Sequence, residues 1–261
     1  MRALTRLAMP TLVVTLLGGG TSRALDISSC DQSVAANDTG VLQADLTCSA
    51  QTGVTLGQGA TLQMNGHSIT GDLNTLGYVG AYCSGGRCRI EGPGEFSLFA
   101  VALTMGRGTM ELSDLDLHDN VDAAVVGTFR VVANNVTCHD NAQCLVARSL
   151  RATGFTATGH SSAAITVGKS IRGSDLNVSN NAREGIVTGR FSVMDLTASG
   201  NGYAALVANA GGTLTDSTLT GNGTLVGGTD LATEGRPRLV NTTCGHSSDQ
   251  HGGTWGICTN D

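Results

Sequence analysis

The stretch Leu115-Asp-Leu-His-Asp-Asn120 decides the fold. It holds two apolar residues separated by one position, then two further residues and a closing Asn, and it returns along the chain. The copies are Val136-Thr-Cys-His-Asp-Asn141, Phe155-Thr-Ala-Thr-Gly-His160, Leu176-Asn-Val-Ser-Asn-Asn181, Leu196-Thr-Ala-Ser-Gly-Asn201 and Ser217-Thr-Leu-Thr-Gly-Asn222. Their closing residues lie 19 to 21 positions apart. A fixed period of this size predicts a solenoid, in which each repeat buries its apolar face against its neighbours.

Two more short apolar segments follow the closing Asn in each repeat, as in Ala123-Ala-Val-Val126 and Arg130-Val-Val132. Gly or Asn separates the segments and β-branched residues are frequent, which favours strands over helices. Three short strands per coil predict an all-β protein. The expected fold is a single-stranded, right-handed parallel β-helix of roughly 9 or 10 coils.

A leucine-rich repeat is the alternative for the same period, because residues 112–120 fit its template of spaced Leu and Asn. In the other repeats the first Leu position of that template is occupied by Ala133, Ala152, Gly173 and Val193. Each repeat also continues with Gly-interrupted, β-branched segments where this alternative requires a helical or Leu-spaced half. The β-helix is therefore the predicted fold.

The two ends of the chain differ from the repeats. Residues 1–24 combine early arginines, the apolar run Leu7–Leu17 and small residues, which predicts a cleaved signal peptide. That run is too short to span a membrane, and no other segment is long and apolar enough. We predict an N-terminal cap over residues 25–53, the β-helix over residues 54–242 and a disulfide-closed C-terminal cap over residues 243–261. The signal peptide predicts a secreted, periplasmic or cell-surface location.

Charge along the chain is sparse and acidic. Charged residues make up 14% of the sequence, against roughly 25% in an ordinary globular domain. Without residues 1–24, 12 Lys and Arg stand against 21 Asp and Glu, which gives 12 − 21 = −9. No run of basic residues offsets this balance, so we predict no nucleic-acid partner. No pattern in the sequence defines an oligomeric state.

The eight cysteines fall into four pairs that are close in sequence. In an exported chain, an even number of cysteines at short separations favours disulfides. Zinc is the alternative, but no pair has the two-residue spacing of a zinc knuckle. We therefore predict no metal site and four local bridges: Cys30–Cys48, Cys83–Cys88, Cys138–Cys144 and Cys244–Cys258.

Two motifs carry a resemblance to a known group of proteins. They are Leu62-Gln-Met-Asn-Gly-His-Ser-Ile-Thr-Gly71 and the later column of closing Asn residues. With them the chain resembles secreted right-handed parallel β-helix repeat proteins of the pectate-lyase-like superfamily, over most of its length after the signal peptide. The resemblance implies the fold and leaves the activity open, because that superfamily includes lyases, hydrolases, epimerases and adhesins.

The activity signatures that the resemblance would imply are missing from this sequence. Pectate lyases hold calcium with clustered acids and use an Arg near an R-x-P-x-x-R phrase, which Arg236-Pro-Arg238 does not match. The paired-Asp and Gly-His-Gly signatures of polygalacturonase-type hydrolases are missing too. We therefore predict no cofactor, with calcium needed only if the protein is a polysaccharide lyase.

His118 and His139 are the first candidates for chemistry. Strand alternation points both outward, and the stacking of successive coils places them about 4.8 Å apart. Asp116, Asp119 and Asp140 flank them, which predicts an acid/base or metal patch. The alternative is a solvated face whose acids cap turn amides, because no third ligand or activating base is evident.

Tyr78 and Tyr82 are the second candidates, for a binding rim on the loop that holds one of the cysteine pairs. Aromatic faces are common in sugar-binding grooves. Aromatic residues are only 3% of this chain, however, which limits support for a glycan site. A purely structural loop is the alternative.

The column of closing Asn residues is predicted to be structural. Stacked amide side chains that turn inward at the bend after a strand can hydrogen-bond the next coil and satisfy turn backbone. His67 and His160 occupy equivalent positions in their repeats and are assigned to the same ladder. The ladder consists of Asn120, Asn141, Asn181, Asn201 and Asn222.

These patterns favour an extracellular protein with a structural, adhesive or glycan-binding role. Its expected partner is an extracellular polysaccharide or a cell-surface glycan, and no catalytic signature points to an enzyme. The alternative is a lyase, hydrolase or epimerase that acts on an extracellular uronate polysaccharide. Ice binding is a third hypothesis, because outward pairs such as Thr156-Ala-Thr158 form part of a Thr ladder that Asn177 interrupts.

Overall fold

The computed structural model describes residues 24–73, 77–127, 129–223 and 228–261. The predicted signal peptide lies outside the described residues, apart from its last position. Every regular element in the described part of the chain is a β-strand. None of the described residues belongs to a helix long and apolar enough to cross a membrane.

Twenty-four strands are described, and the longest ones continue around a corner of the fold. In chain order they are β1 Leu25–Ile27, β2 Gln32–Val34, β3 Thr39–Leu42, β4 Leu46–Thr47, β5 Val54–Leu56, β6 Thr61–Gln63, β7 Ser68–Thr70, β8 Val79–Cys83, β9 Gly86–Ser97, β10 Val101–Met105, β11 Gly108–His118, β12 Ala123–Gly127, β13 Arg130–His139, β14 Gln143–Thr158, β15 Ile165–Ser179, β16 Ile186–Thr188, β17 Phe191–Ser199, β18 Leu206–Ala208, β19 Thr213–Thr215, β20 Thr218–Thr220, β21 Leu231–Thr233, β22 Arg238–Val240, β23 Thr243–Cys244 and β24 Ser247–Ser248.

Strands of successive coils pair in parallel, so that equivalent residues of the repeats stack. One such column is Leu115, Val136, Phe155, Leu176 and Leu196. The strands form a β-solenoid of about 10 turns. Three parallel strands per coil confirm the predicted β-helix. The described repeats contain no helical half of the kind that a leucine-rich repeat would require.

The strands lie on three faces. Face A is formed by β2, β5, β8, β10, β12, the starts of β14 and β15, and then β16, β18, β21 and β24. Face B is formed by β1, β3, β6, the first parts of β9, β11, β13 and β17, the middles of β14 and β15, and β19 and β22. Face C is formed by β4, β7, the last parts of β9, β11, β13, β14, β15 and β17, and β20 and β23.

The core is a set of apolar columns inside the coils. Leu117, Cys138, Ala157, Val178 and Ala198, the second apolar positions of the repeated phrase, are all fully buried. Each buried methylene stabilises the fold by about 0.8 kcal/mol. Because successive strand residues point to opposite sides, the residues between these columns face solvent.

The corners between faces B and C use residues that tolerate a left-handed backbone. Asn, Asp and Gly adopt positive φ more readily than other residues, which explains their recurrence between the apolar segments. In two neighbouring coils the corner side chains also pair, since Asn135 Nδ2 donates to Asp114 Oδ1 at 2.7 Å. The positive-φ residues at this corner are Asn65, Gly66, Asp114, Asn135, Gly154, Asp175, Asp195, Asp216 and Asn241.

The Asn ladder is confirmed: its five residues are buried and stacked at the corner after face C. Asn201 Oδ1 accepts hydrogen bonds from the backbone N–H of Asn181 at 3.2 Å and from its Nδ2 at 2.8 Å. Asn201 Nδ2 donates to Asn222 Oδ1 at 2.8 Å and to the Val178 carbonyl oxygen at 2.9 Å. Beyond Asn222 the ladder ends on the buried carboxylate of Asp230, which accepts from Asn222 Nδ2 at 2.7 Å.

The two histidines assigned to the ladder have different positions. His160 lies in it and is 1% exposed, and its backbone N–H donates to Asn181 Oδ1 at 3.0 Å. His67 lies instead at the corner before β7, between faces B and C, where its Nδ1 is 3.2 Å from Asp45 Oδ1. The assignment of His67 is corrected, because its Asn-Gly-His phrase forms a turn with Asn65 at φ 54° rather than a rung of the ladder.

Three of the four predicted disulfides are present, and they are Cys30–Cys48, Cys138–Cys144 and Cys244–Cys258. The predicted Cys83–Cys88 bridge is absent, because both residues are buried free thiols. Their short separation in sequence correctly predicted that the two cysteines are neighbours, and their side chains share a hydrogen bond. Cys88 Sγ also donates to the Gly57 carbonyl oxygen at 3.7 Å, so hydrogen bonds take the place of the expected covalent bond.

Strands continue into both ends of the solenoid. Residues 25–53, predicted as a cap, contain β1 to β4, and β2, β3 and β4 pair in parallel with β5, β6 and β7 of the next coil. Residues 243–261 contain β23 and β24, which pair with β20 and β21. The disulfide from Cys244 to Cys258 ties the last segment to this end.

Candidate functional site

His118 and His139 form a stacked pair on the outer side of face C. They end β11 and β13, and the parallel register places one directly opposite the other. Their ring centroids are 5.0 Å apart and their planes differ by 4°. The side chains are 21% and 33% exposed. The repeat period therefore brings together two imidazoles that are 21 positions apart in sequence.

Two carboxylates flank His118. Its Nδ1 lies 2.8 Å from Asp119 Oδ2, and its Nε2 lies 3.6 Å from Glu95 Oε2. Asp119 is one of the predicted site residues, whereas Glu95 is not. Glu95 lies one coil earlier, directly opposite Asp116 in the parallel register. Only an alignment of the irregular coil before residue 100 with the later repeats would have found it.

Two carboxylates also flank His139. Its Nδ1 lies 2.8 Å from Asp140 Oδ2, and its Nε2 lies 3.3 Å from Asp116 Oδ1. Partial burial lowers the pKa of His139, but the hydrogen bond to Asp140 and the negative charges of Asp116 and Asp140 outweigh it. The net result is a pKa raised above its ordinary value of 6.5. The charged form of His139 is therefore favoured.

The two imidazoles and four carboxylates form what we call the His–carboxylate column. Beside it lies an open groove of about 720 Å³ that is lined in part by Glu95, Asp114, Asp116 and Thr137. A carboxylate that holds one ring nitrogen fixes the tautomer of an imidazole, which is the arrangement general acids and bases use. The same contacts also satisfy these groups as ion pairs on a solvated face, and no activated nucleophile accompanies them within the described residues.

The two candidate tyrosines lie on a different face. Tyr82 belongs to β8 on face A, opposite Thr55 and Thr104 of the neighbouring strands, and is 40% exposed. Tyr78 immediately precedes that strand and is 39% exposed. The structure thus offers two separate exposed features rather than one site that combines tyrosines and histidines.

The buried ladder contains one group of metal-type side chains. Cys138, Cys144 and His160 place their ligand atoms within 4.8 Å of one another. Cys138 and Cys144 are joined in a disulfide, so their sulfurs are not thiolate ligands. His160 Nε2 has no hydrogen-bond partner among the described residues. Its role is that of a ladder residue rather than a metal ligand.

A strongly basic surface follows face B and its corner with face A, and the sequence did not reveal it. Of the 12 Lys and Arg that follow residue 24, all except Arg183 lie on this surface, which we call the basic face. All of its cations are exposed. It consists of Arg87, Arg89, Arg107, Arg130, Arg148, Arg151, Lys169, Arg172, Arg190, Arg236 and Arg238.

The middle of the basic face forms a groove of about 650 Å³. Arg148, Lys169, Arg172 and Arg190 line it together with glycines and serines, and no acidic residue is among its lining. The cations are spaced roughly one coil apart in sequence, so they do not appear as a basic cluster in any short segment of the sequence. An alignment of the repeats that records the residue at each corner would have found them.

Comparison with known proteins supports the fold. The sequence matches no model of a protein family and no curated protein. Among solved structures, this chain is similar to the enzymatically active domain of tailspike protein 2 of bacteriophage CBA120, with a TM-score of 0.50 at 12% sequence identity. The match covers 86% of this chain and 43% of the tailspike chain, so this protein spans less than half the length of that structure. At this identity the similarity shows a β-solenoid fold alone.

Proposed function

We propose that this protein is an extracellular glycan-binding solenoid with an adhesive or structural role. The observation that carries the proposal is the arrangement of exposed polar side chains in columns, each repeated at the spacing of the coils, about 4.8 Å. A surface with a regular repeat suits a partner that is itself a repeating polymer. The predicted signal peptide and the three disulfides support an extracellular location, because disulfides persist in oxidising compartments.

Binding without turnover is the activity that we propose. Each imidazole of the His–carboxylate column hydrogen-bonds a carboxylate through Nδ1 at 2.8 Å, and its Nε2 faces a second carboxylate of the same chain at 3.6 Å in His118 and 3.3 Å in His139, so acids of the chain surround both rings. The adjacent groove is open to solvent rather than enclosed. Enclosure strengthens the electrostatic interactions on which enzymes rely, and an open ion-paired surface lacks that advantage.

The second candidate function is a lyase, hydrolase or epimerase that acts on a polysaccharide, within the pectate-lyase-like superfamily that the sequence resembles. Two observations favour it: the His–carboxylate column, and the similarity to a tailspike domain described as enzymatically active. Calcium does not fit this column well, since Asp116, Asp119 and Asp140 already pair with imidazoles. We therefore derive no calcium-dependent step and propose no cofactor.

A paired screen tests the proposal. The purified protein is applied to an array of neutral and acidic glycans, and the same glycans are assayed for new reducing or unsaturated ends, with and without calcium. The proposal expects binding and no new ends. Turnover that disappears in the double variant His118→Ala, His139→Ala would establish the enzyme instead. The control variant Thr218→Ala, Thr220→Ala alters the outer side of face C several coils away and should leave either result unchanged.

A further inference from the structure

We infer that the basic face binds an acidic polysaccharide, a linear glycan that carries carboxylate or sulfate groups, along the groove formed by Arg148, Lys169, Arg172 and Arg190. This inference rests on the proposed glycan-binding function and adds the class of ligand and the surface that holds it. The cations of this surface lie about one coil apart in sequence, so they form no basic run there.

Most cations of this face have no carboxylate partner among the described residues. Arg87 and Arg89 form ion pairs with Glu111, with nitrogen-to-oxygen distances of 2.6 and 2.8 Å. Within the described residues, none of the other nine cations of the basic face is within ion-pair distance of a carboxylate. The chain nevertheless has an excess of acids, 21 Asp and Glu against 15 Lys and Arg. Glu91 and Glu111 lie on face B and Glu234 lies at its corner with face A, but no acidic residue lines the central groove. The cations of that groove therefore create a local field opposite in sign to the net charge.

The arrangement places like charges next to each other. Arg151 and Arg172 are directly opposite in the parallel register of β14 and β15. Like charges in such positions destabilise a sheet, and no carboxylate from the described residues separates them. An anionic ligand between the coils would remove this repulsion. Guanidinium groups are suited to that role, because they hold carboxylate and sulfate-like oxygens with two parallel hydrogen bonds.

The spacing of the groove fits an extended polymer. Arg148, Lys169 and Arg190 occupy three successive coils, so the charge repeats about every 4.8 Å along the axis of the solenoid. Ser170 and Ser192 also line the groove and offer hydroxyls to a sugar. Gly168 faces open space in this groove and has no side chain to obstruct it. A glycan with one acidic group on each sugar can thus meet cations in several coils at once.

Nucleic acid fits this face less well, although it is also a polyanion. Proteins that bind single strands rely on exposed aromatic side chains for stacking. The aromatic residue in this groove, Phe191, is only 4% exposed. The acidic remainder of the chain would also repel a long duplex. An acidic glycan needs only the charges and hydroxyls that the groove presents.

Binding of defined polymers tests the inference. Affinities of the purified protein are measured by biolayer interferometry for polygalacturonate, heparin, neutral dextran and DNA, at low and at raised salt. The test variant is Arg148→Gln, Lys169→Gln, Arg190→Gln. The matched control, Asn177→Asp, Thr220→Asp, Thr243→Asp, changes the net charge by the same three units on exposed positions of face C outside both grooves. Circular dichroism confirms that both variants are folded.

We expect the protein to bind an acidic glycan with an affinity that falls as the salt concentration rises. In the test variant this affinity should fall about tenfold to thirtyfold. The control should lose less than about threefold. Equal losses in the two variants would overturn the basic face as the binding site. Preference for DNA over both acidic glycans would overturn the ligand class. Binding of neutral glycans alone would overturn this inference and leave the proposed function intact, whereas binding of no glycan would remove both.

Discussion

Two polar columns lie two positions apart in the same repeats and have opposite surroundings. Asn120 and Asn141 point into the corner of the coil, are 2% and 3% exposed, and hydrogen-bond from one coil to the next. His118 and His139 precede them by two residues, point outward and pair with carboxylates. The same period therefore produces an internal scaffold and an external charged surface. Only the direction of the side chain separates the two roles.

The pKa shifts of two histidines show the contrast between the two columns. His160 lies in the internal column, where burial lowers its pKa to about 4 despite hydrogen bonds to the neighbouring backbone. His139 lies in the external column, where Asp140 and Asp116 raise its pKa despite partial burial. The pKa of a histidine is thus shifted in opposite directions by the inner and outer surroundings of two successive coils. The internal column should control stability, and the external column should contribute little to it.

The largest expected effect is on the internal column. Asn201→Ala removes the acceptor of two Asn181 donors and the donor to the Val178 and Asn222 oxygens. Each buried polar group left without a partner costs about 1–3 kcal/mol, so we expect a loss of about 3–5 kcal/mol in the free energy of unfolding. Urea unfolding followed by circular dichroism measures it.

The matched control for that experiment is Asn134→Ala, an exposed Asn in β13. A surface change of this kind should stay within about 0.5 kcal/mol of the unmodified protein. A loss in Asn201→Ala no larger than in the control would show that the ladder does not hold the coils together.

The second prediction concerns His160 and acid. Its folded pKa of about 4 lies below the unfolded value of 6.5, so the unfolded chain binds more protons between these values and stability falls as the pH falls. Across the whole pH range between the two pKa values, this loss in the free energy of unfolding amounts to roughly 3 kcal/mol. His160→Asn inserts the residue that the rest of the ladder uses and should remove most of this loss.

Unfolding curves of His160→Asn and the unmodified protein at about pH 7.5 and about pH 4.5 test it. The exposed His246 supplies the control, His246→Asn, which should retain the acid sensitivity of the unmodified protein. Identical loss of stability in His160→Asn on acidification would place the acid-sensitive group elsewhere.

The internal column could be predicted from the sequence because its information is local. The six positions of the repeated phrase contain the strand, the bend and the closing residue. The constant length of the coils then stacks equivalent residues on one another. The position of His160 in the ladder followed in the same way. His67 was misplaced because a turn phrase at another corner contains the same residue types as the ladder bend.

The external surfaces depend on register, which local patterns do not give. Arg151 and Arg172 are neighbours only because β14 and β15 pair with a shift of 21 positions, so the basic face has no local signature. Glu95 joins the His–carboxylate column through a coil whose sequence departs from the repeat. For Cys83 and Cys88, spacing indicates proximity but does not determine whether two thiols bond or share a hydrogen bond.

The smallest expected effect is on the external column, and its sign is opposite to that of His160. The folded pKa of His139 is raised, so its ion pairs stabilise the protein fully below the unfolded value of about 6.5, and this contribution disappears as the pH rises through the folded pKa. His139→Gln should therefore lower the free energy of unfolding at about pH 5.5 by less than about 1 kcal/mol, because the pair is partly exposed, and should change little at about pH 8.5. Urea unfolding at the two pH values measures the difference, with His251→Gln, an exposed histidine outside the column, as the control. A loss in His139→Gln that is equal at both pH values, or as large as that of Asn201→Ala, would mean that this column supports the coils through packing rather than through charge.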